Sequence, residues 1–377
     1  VPHLVVKEVD FDRIATVDFV KWHALDAKTG KFALVNVGSF LLEIKKRDAD
    51  YVIRADKLTK PANAEAIKNA LLHFAQALNL EVLAQNTTLK NEKEESPFLK
   101  PVTFFENYEP SAPLNVEVGF GSGRHLLHQA KKYPDEQFIG LEIHTTSIAQ
   151  VLKQIQLQSI ENIIIVNYDA RLFLELLPSN SCKNIYVHFP VPWDKKPHRR
   201  VISQSFVDES MRVLQKEGIL NLRTDSENYF TYSFETFFAQ NVCECKICKN
   251  QEIEISSKYE DRWKKQNKNI YDFYLRCLNQ SDAKSNDYDF TFNANLTDRV
   301  DYQSKTYEGY FVHFENVFII DDERRLVKVS FGSFDKPENR YIIIDNGSGE
   351  YLFHKPIKTK ANYNAHQKIT EMLTWQT

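Results

Sequence analysis

Residues 114–130 read Leu-Asn-Val-Glu-Val-Gly-Phe-Gly-Ser-Gly-Arg-His-Leu-Leu-His-Gln-Ala. Gly119, Gly121 and Gly123 fall within five positions, in a chain with only 11 glycines among 377 residues. The apolar run Val116-Glu117-Val118 before them predicts a strand, and Leu126 to Tyr133 after them predicts a helix. Glycines at such a junction let the backbone turn tightly and approach a ligand with no Cβ in the way. The helix that follows offers free N–H groups to an anion. A dinucleotide-binding fingerprint would need glycine at position 124, where this chain has Arg124.

Outward from this turn the pattern repeats. The runs Phe138-Ile139-Gly140-Leu141, Ile163-Ile164-Ile165-Val166, Ile185-Tyr186-Val187 and Ile219-Leu220-Asn221-Leu222 alternate with helix-like stretches such as Thr146 to Gln158. Strand–helix alternation at this spacing predicts an α/β domain with a doubly wound, Rossmann-like parallel sheet over 113–280. Acids close three successive runs: Glu117, Glu142 and Asp169. Carboxyl ends of strands are where open α/β sheets bind ligands, and an acid after the second strand can accept ribose hydroxyls. Asp169 either accepts from a base amino group or caps the next helix.

Both flanks read differently. Residues 1–60 are strand-rich, 61–112 hold a helix and a proline-rich linker, and 281–377 are strand-rich again, with Asp345-Asn346-Gly347 as a hairpin signal. A hydrophobic fraction of 42% and a charged fraction of 26% exclude disorder as the main state. The net charge of −3 means that any grip on nucleic acid needs a local basic patch. No run approaches the ~18 apolar residues that span a bilayer, and no signal peptide is visible. Five cysteines, an odd count, point to a reducing, cytoplasmic setting. Cys243, Cys245 and Cys248 form Cys-x-Cys-x-x-Cys, which with Cys277 has the ligand count of a zinc site. The alternation of the first two suits a strand face better, and no metal is expected. His125 and His128, three apart on a helix, are expected to pack or face solvent.

The fourth run leads into His188-Phe189-Pro190-Val191-Pro192-Trp193-Asp194-Lys195-Lys196-Pro197-His198-Arg199-Arg200. Two prolines predict a rigid extended loop. Trp193 offers a stacking surface for a base, and Lys195, Lys196, Arg199 and Arg200 predict a cationic patch for phosphates.

From about Pro113 to Trp263 the chain resembles the bacterial tRNA (guanine-N7-)-methyltransferases, of the class I S-adenosylmethionine-dependent fold. The resemblance rests on Glu117–Gly123, Gly140–His144, Asp169-Ala170, Phe189–Lys195, Thr224-Asp225 and Ser257–Glu260. It implies an enzyme that methylates N7 of guanosine 46 in the tRNA variable loop. S-adenosyl-L-methionine would be held by Glu117, Gly119, Gly121, Gly123, Glu142 and Asp169. The tRNA would be met by Lys195, Asp225, Ser257, Lys258, Tyr259 and Glu260. The expected molecule is a monomer or homodimer with tRNA as partner, no membrane association and no metal. The family has Asp between the two prolines, and this chain has Val191. No residue is therefore assigned a catalytic role. Two alternatives follow: a class I methyltransferase acting on another substrate, and a catalytically weak RNA-binding module.

Overall fold

The computed structural model describes residues 2–61, 63–87, 96–255, 268–285 and 287–374. The chain forms two compact units: Val1–Glu94 with Tyr288–Pro356 and Lys360–Thr377, and Glu95–Asp287 with Ile357–Thr359.

The second unit carries the glycine turn. Its strands are β1 (Leu114–Val118), β2 (Gln137–Leu141), β3 (Ile163–Val166), β4 (Cys182–His188), β5 (Leu214–Thr224), β6 (Glu244–Lys249) and β7 (Tyr271–Arg276). Helices α1 (Arg124–Lys132), α2 (Thr145–Leu157), α3 (Ala170–Phe173), α4 (Gln204–Val213) and α5 (Glu227–Phe238) follow β1, β2, β3, β4 and β5 in turn. The sheet order is β6-β7-β5-β4-β1-β2-β3. Strands β1 to β5 pair in parallel, and β7 runs antiparallel to both β5 and β6. This is the doubly wound, Rossmann-like sheet that the strand–helix alternation predicts. From β1 the chain winds outward through β2 and β3, then returns to the other side of β1 at β4. The crevice between β1 and β4 is thus the topological switch point, where such sheets take ligands.

One face of this sheet is apolar. Val116, Val118, Ile185, Val187, Leu220, Leu222, Phe273 and Leu275 bury there in a single cluster with residues of α3, α4 and α5. Because successive side chains alternate faces, the intervening residues take the opposite one. These are Asn115 and Glu117, then Asn184, Tyr186 and His188, then Asn221 and Arg223, then Asp272 and Tyr274. Glu117, Tyr186, Asn221 and Tyr274 stand in one row across four strands. Residues 96–112, expected as linker, pack on this unit: Leu99 bridges to Ile165, and Phe105 is fully buried.

The first unit is an eleven-stranded sheet of described residues. Its N-terminal strands, including Trp22–Asp26 and Phe32–Asn36, continue into C-terminal strands from Tyr310–Ile319 to Ser348–Tyr351. The seam is short, with Phe318 opposite Asp26 and Ile319 opposite Leu25. A core of Ala24, Leu34, Leu41, Phe318, Leu326 and Tyr341 straddles it. The Asp-Asn-Gly signal is a two-residue hairpin, with φ 47° at Asn346, 82° at Gly347 and Asp345 paired to Ser348. A C-terminal helix, Lys360–Leu373, lies in a region expected to be strand.

Candidate active site at the carboxyl ends of the strands

The glycine turn is built as its sequence requires. Gly119, Gly121 and Gly123 have φ of 67°, 53° and 70°, a region closed to most side chains. Their environments differ. A Cβ on Gly119 would meet nothing within 4 Å, and one on Gly121 only the Gly119 carbonyl at 4.0 Å. A Cβ on Gly123 would strike Val151 of α2 at 2.5 Å. The first two glycines thus leave open space, and the third lets α1 pack.

The two flanking acids are held in different ways. Among the described residues, Glu142 accepts from backbone N–H groups alone: Gly121 at 3.0 Å on Oε2, and Ile143 and His144 at 2.8 and 3.1 Å on Oε1. This ties the turn to the end of β2. With three of about four acceptor positions used, the carboxylate retains capacity for a hydroxyl. Glu117 is only 4% exposed, and its Oε2 lies 2.7 Å from His125 Nδ1. His125, expected to pack or face solvent, is therefore part of this site. Its ring sits against Tyr186 and His188, at centroid distances of 4.7 and 4.5 Å. His188 Nε2 is 2.7 Å from Asn221 Oδ1. Burial first, then neighbouring His125, pushes the His188 pKa well below the usual histidine range. Burial raises the Tyr186 phenol, with Glu117 adding to the shift. Sequence reasoning missed His125, His188 and Asn221; the available signal was polar residues alternating inside strands that a doubly wound fold buries.

Of its two readings, Asp169 makes the helix cap. It caps α3 by accepting from Arg171 N–H at 3.0 Å, and its two oxygens also receive the Arg171 guanidinium at 3.0 and 2.7 Å. Arg223 and Asp272, each 1% exposed in their side chains, pair beneath the β5 tip, with Nη1 of Arg223 donating to both carboxylate oxygens at 2.5 and 2.6 Å. Asp225, just beyond β5, accepts from Lys268 Nζ at 2.9 Å. Ser257, Lys258, Tyr259 and Glu260 lie outside the described residues.

After β4 the Phe-Pro-x-Pro-Trp loop is not simply extended. Phe189 and Trp193 have φ of 51° and 46°, strained values for bulky residues. Surrounding bonds hold them: Phe189 N–H donates to the Arg223 carbonyl at 2.7 Å, and Arg200 Nε donates to the Pro192 carbonyl at 2.8 Å. Arg200 belongs to this brace and not to the cationic surface, because it is buried with its guanidinium 4.4 Å from the Tyr232 ring centroid. Lys195, Lys196 and Arg199 are exposed. Arg199 lies over the Trp193 ring at 5.2 Å, and Trp193 is 37% exposed. Val191 is 60% exposed. Asp194, the nearest carboxylate in the loop sequence, sits 3.4 Å from Arg200.

Among the described residues, no three His, Cys, Asp or Glu side chains gather as a metal-holding group. Burial pushes the Cys245 thiol up to about 11, with Cys243 adding to it. Among the described residues no helix is long and apolar enough to cross a membrane.

A family model described as "Putative methyltransferase" matches residues 111–273. The chain is 44% identical over 342 residues to a Wolinella succinogenes protein named tRNA (guanine-N(7)-)-methyltransferase, covering 89% of this chain and 88% of that one. A Campylobacter jejuni protein of the same name is 38% identical over 361 residues, covering 92% and 90%. One from Helicobacter hepaticus is 39% identical over 338 residues, covering 86% and 84%.

Proposed function

Because the chain belongs to the tRNA (guanine-N(7)-)-methyltransferase family, we propose that it transfers a methyl group from S-adenosyl-L-methionine to N7 of guanosine 46 in the tRNA variable loop. The observation that carries this reading is one juxtaposition. An open glycine turn with a buried acid ends β1, and an aromatic, cationic loop ends β4, its neighbour across the switch point.

The residues fit the cofactor. Gly119 and Gly121 leave room where a side chain would intrude. Glu142 keeps an acceptor position, and Glu117 is held by His125 through one oxygen only. When bound, the cofactor supplies an electrophilic methyl group on a sulfonium centre. Asp169 would reach a base amino group only by sharing oxygens already given to Arg171.

Guanine N7 carries a lone pair and no proton, so no base is obligatory. The protein's task is alignment, together with carboxylates near the purine as it becomes cationic. Asp225, which accepts from Lys268, would take the second role, and the family resemblance assigns Glu260 to the same pocket. Lys195, Lys196 and Arg199 would meet phosphates, and Trp193 would stack on a base. Val191 supplies no carboxylate, and on this chemistry none is required there. The enzyme would act in the cytoplasm, where tRNA is.

The test is incubation of purified protein with unmodified tRNA and methyl-labelled cofactor, followed by nucleoside analysis. Label on N7-methylguanosine at one variable-loop position is expected, and unlabelled guanosine would end the proposal. The exposed Val191 favours one second reading, a weak catalyst that chiefly binds RNA. Tight tRNA binding without turnover would select it.

A further inference from the structure

Glu117 is buried and depends on one described side chain for its hydrogen bond: Nδ1 of His125, 2.7 Å from Oε2. A carboxylate only accepts, so the imidazole proton resides on Nδ1. His125 is itself wedged. The rings of Tyr186 and His188 meet it edge-on, at 67° and 64°. Both come from β4 two residues apart, hence from one face. His188 is fixed in turn. Asn221 Nδ2 donates to the Phe273 carbonyl at 3.1 Å, so Oδ1 faces His188, and His188 must donate to it through Nε2 at 2.7 Å. The result is a continuous brace from β7 through β5 and β4 to α1, ending on the acid of the glycine turn. Each of its three hydrogen bonds has a defined donor and acceptor, and ring packing of His125 on His188 joins the two ends.

We propose that His125 is a positioning residue for Glu117, holding one carboxylate oxygen so that the other is aimed at the ammonium of the bound S-adenosyl-L-methionine, and that His188 and Asn221 hold His125 in place. This rests on the reading that Glu117 and the glycine turn receive the cofactor. A cation at Glu117 meets a carboxylate that is already oriented and desolvated, so little ordering remains to be done on binding. His188, a member of the brace, is also one residue before Phe189. The acid on the cofactor side and the loop on the RNA side therefore share one fixed point.

The experiment is calorimetric titration of the full-length protein with S-adenosyl-L-methionine, alongside thermal melting. His125→Asn places an amide N–H where Nδ1 stood; His125→Gln places it where Nε2 stood. The two are matched in polarity and in their demands on folding. His125→Asn is expected to bind within about threefold of wild type. His125→Gln is expected to bind about tenfold or more weakly, as loss of a hydrogen bond to a charged group implies. In turnover assays its KM for the cofactor rises while kcat at saturation stays within about threefold. Equal binding by the two variants, whether both tight or both weak, overturns the proposal. Glu117→Gln separates the premise from the inference. Weak binding by Glu117→Gln with equal binding by the two His125 variants refutes the brace alone. Wild-type-like binding by Glu117→Gln, or no binding by the wild type, refutes the premise and the inference together.

Discussion

Gly119 and Gly123 share a backbone conformation and differ in what surrounds them, and that difference makes their substitutions separable. Gly123→Ala combines left-handed backbone strain with a methyl group 2.5 Å from Val151. It should cost about 2–4 kcal/mol, readable by urea unfolding. Gly119→Ala meets open space, so only the strain of about 1 kcal/mol remains. Its new methyl would occupy the cradle, and cofactor binding should fall at least tenfold with the fold nearly intact. A Gly119→Ala protein that bound normally would show that the turn is not the cofactor cradle. The Arg223–Asp272 pair sets a second contrast. Arg223→Met leaves a buried carboxylate without its guanidinium and should cost about 3–5 kcal/mol, whereas Arg223→Met with Asp272→Leu should recover most of that loss. If the double replacement unfolds as readily as the single one, the cost lies in packing and not in the stranded charge.

At the level of elements, the loop after β4 works as a strained unit held by one buried arginine. Arg200 bonds the Pro192 carbonyl and stacks on Tyr232, fixing a segment in which Phe189 and Trp193 have left-handed backbones. Arg200→Met should relax the loop, raising KM for tRNA about tenfold while cofactor affinity stays unchanged by calorimetry. Unchanged tRNA kinetics would mean that the loop needs no brace. The sequence marked Arg200 as surface charge because it adjoins Arg199; burial on α5 is a tertiary fact that no local pattern carries. The parallel strands and the glycine turn were legible, since apolar runs and glycine spacing report local geometry. Half of each central strand was not. Asn115, Glu117, Asn184, His188, Asn221 and Arg223 stand where a doubly wound sheet ordinarily shows apolar residues. Only the structure shows their partners: Asn184 bonds Asn115 and His188 bonds Asn221 across strands, Arg223 takes Asp272, and Glu117 takes His125 of α1. The helix Lys360–Leu373 was missed for a related reason. Its buried positions, Asn362, Ala365, His366, Ile369 and Leu373, keep helical spacing, yet two of the five are polar.

Across the whole molecule, three histidines report on acid stability. Burial depresses His23, His188 and His366 below 6.5, with His125 and Arg223 adding to the effect at His188. Each therefore binds a proton more readily in the unfolded chain. Their contribution is complete above an unfolded pKa near 6.5 and is lost as the pH falls below it. Urea midpoints should drop between pH 7.5 and 5.5, with a smaller drop in His188→Gln; identical midpoints at the two pH values would refute the assignment. The β-rich unit adds a test of its seam. The Tyr341 hydroxyl donates to Asp56 at 2.9 Å inside the buried contact between N-terminal and C-terminal strands. Tyr341→Phe should cost about 1–3 kcal/mol in denaturant titration. An unchanged midpoint would mean that water replaces the bond.

That seam has a consequence for synthesis on the ribosome. The strands around Trp22–Asp26 emerge early, but their neighbour Tyr310–Ile319 is translated almost three hundred residues later. At ≈ 5–20 residues per second, this leaves the nascent edge, with Leu34 and Leu41 prepared for partners not yet made, waiting for tens of seconds. The methyltransferase unit is nearly continuous in the chain and can complete its sheet during that interval. A chaperone that shields strand edges would act on the segment around Trp22–Asp26, and far less on the methyltransferase unit.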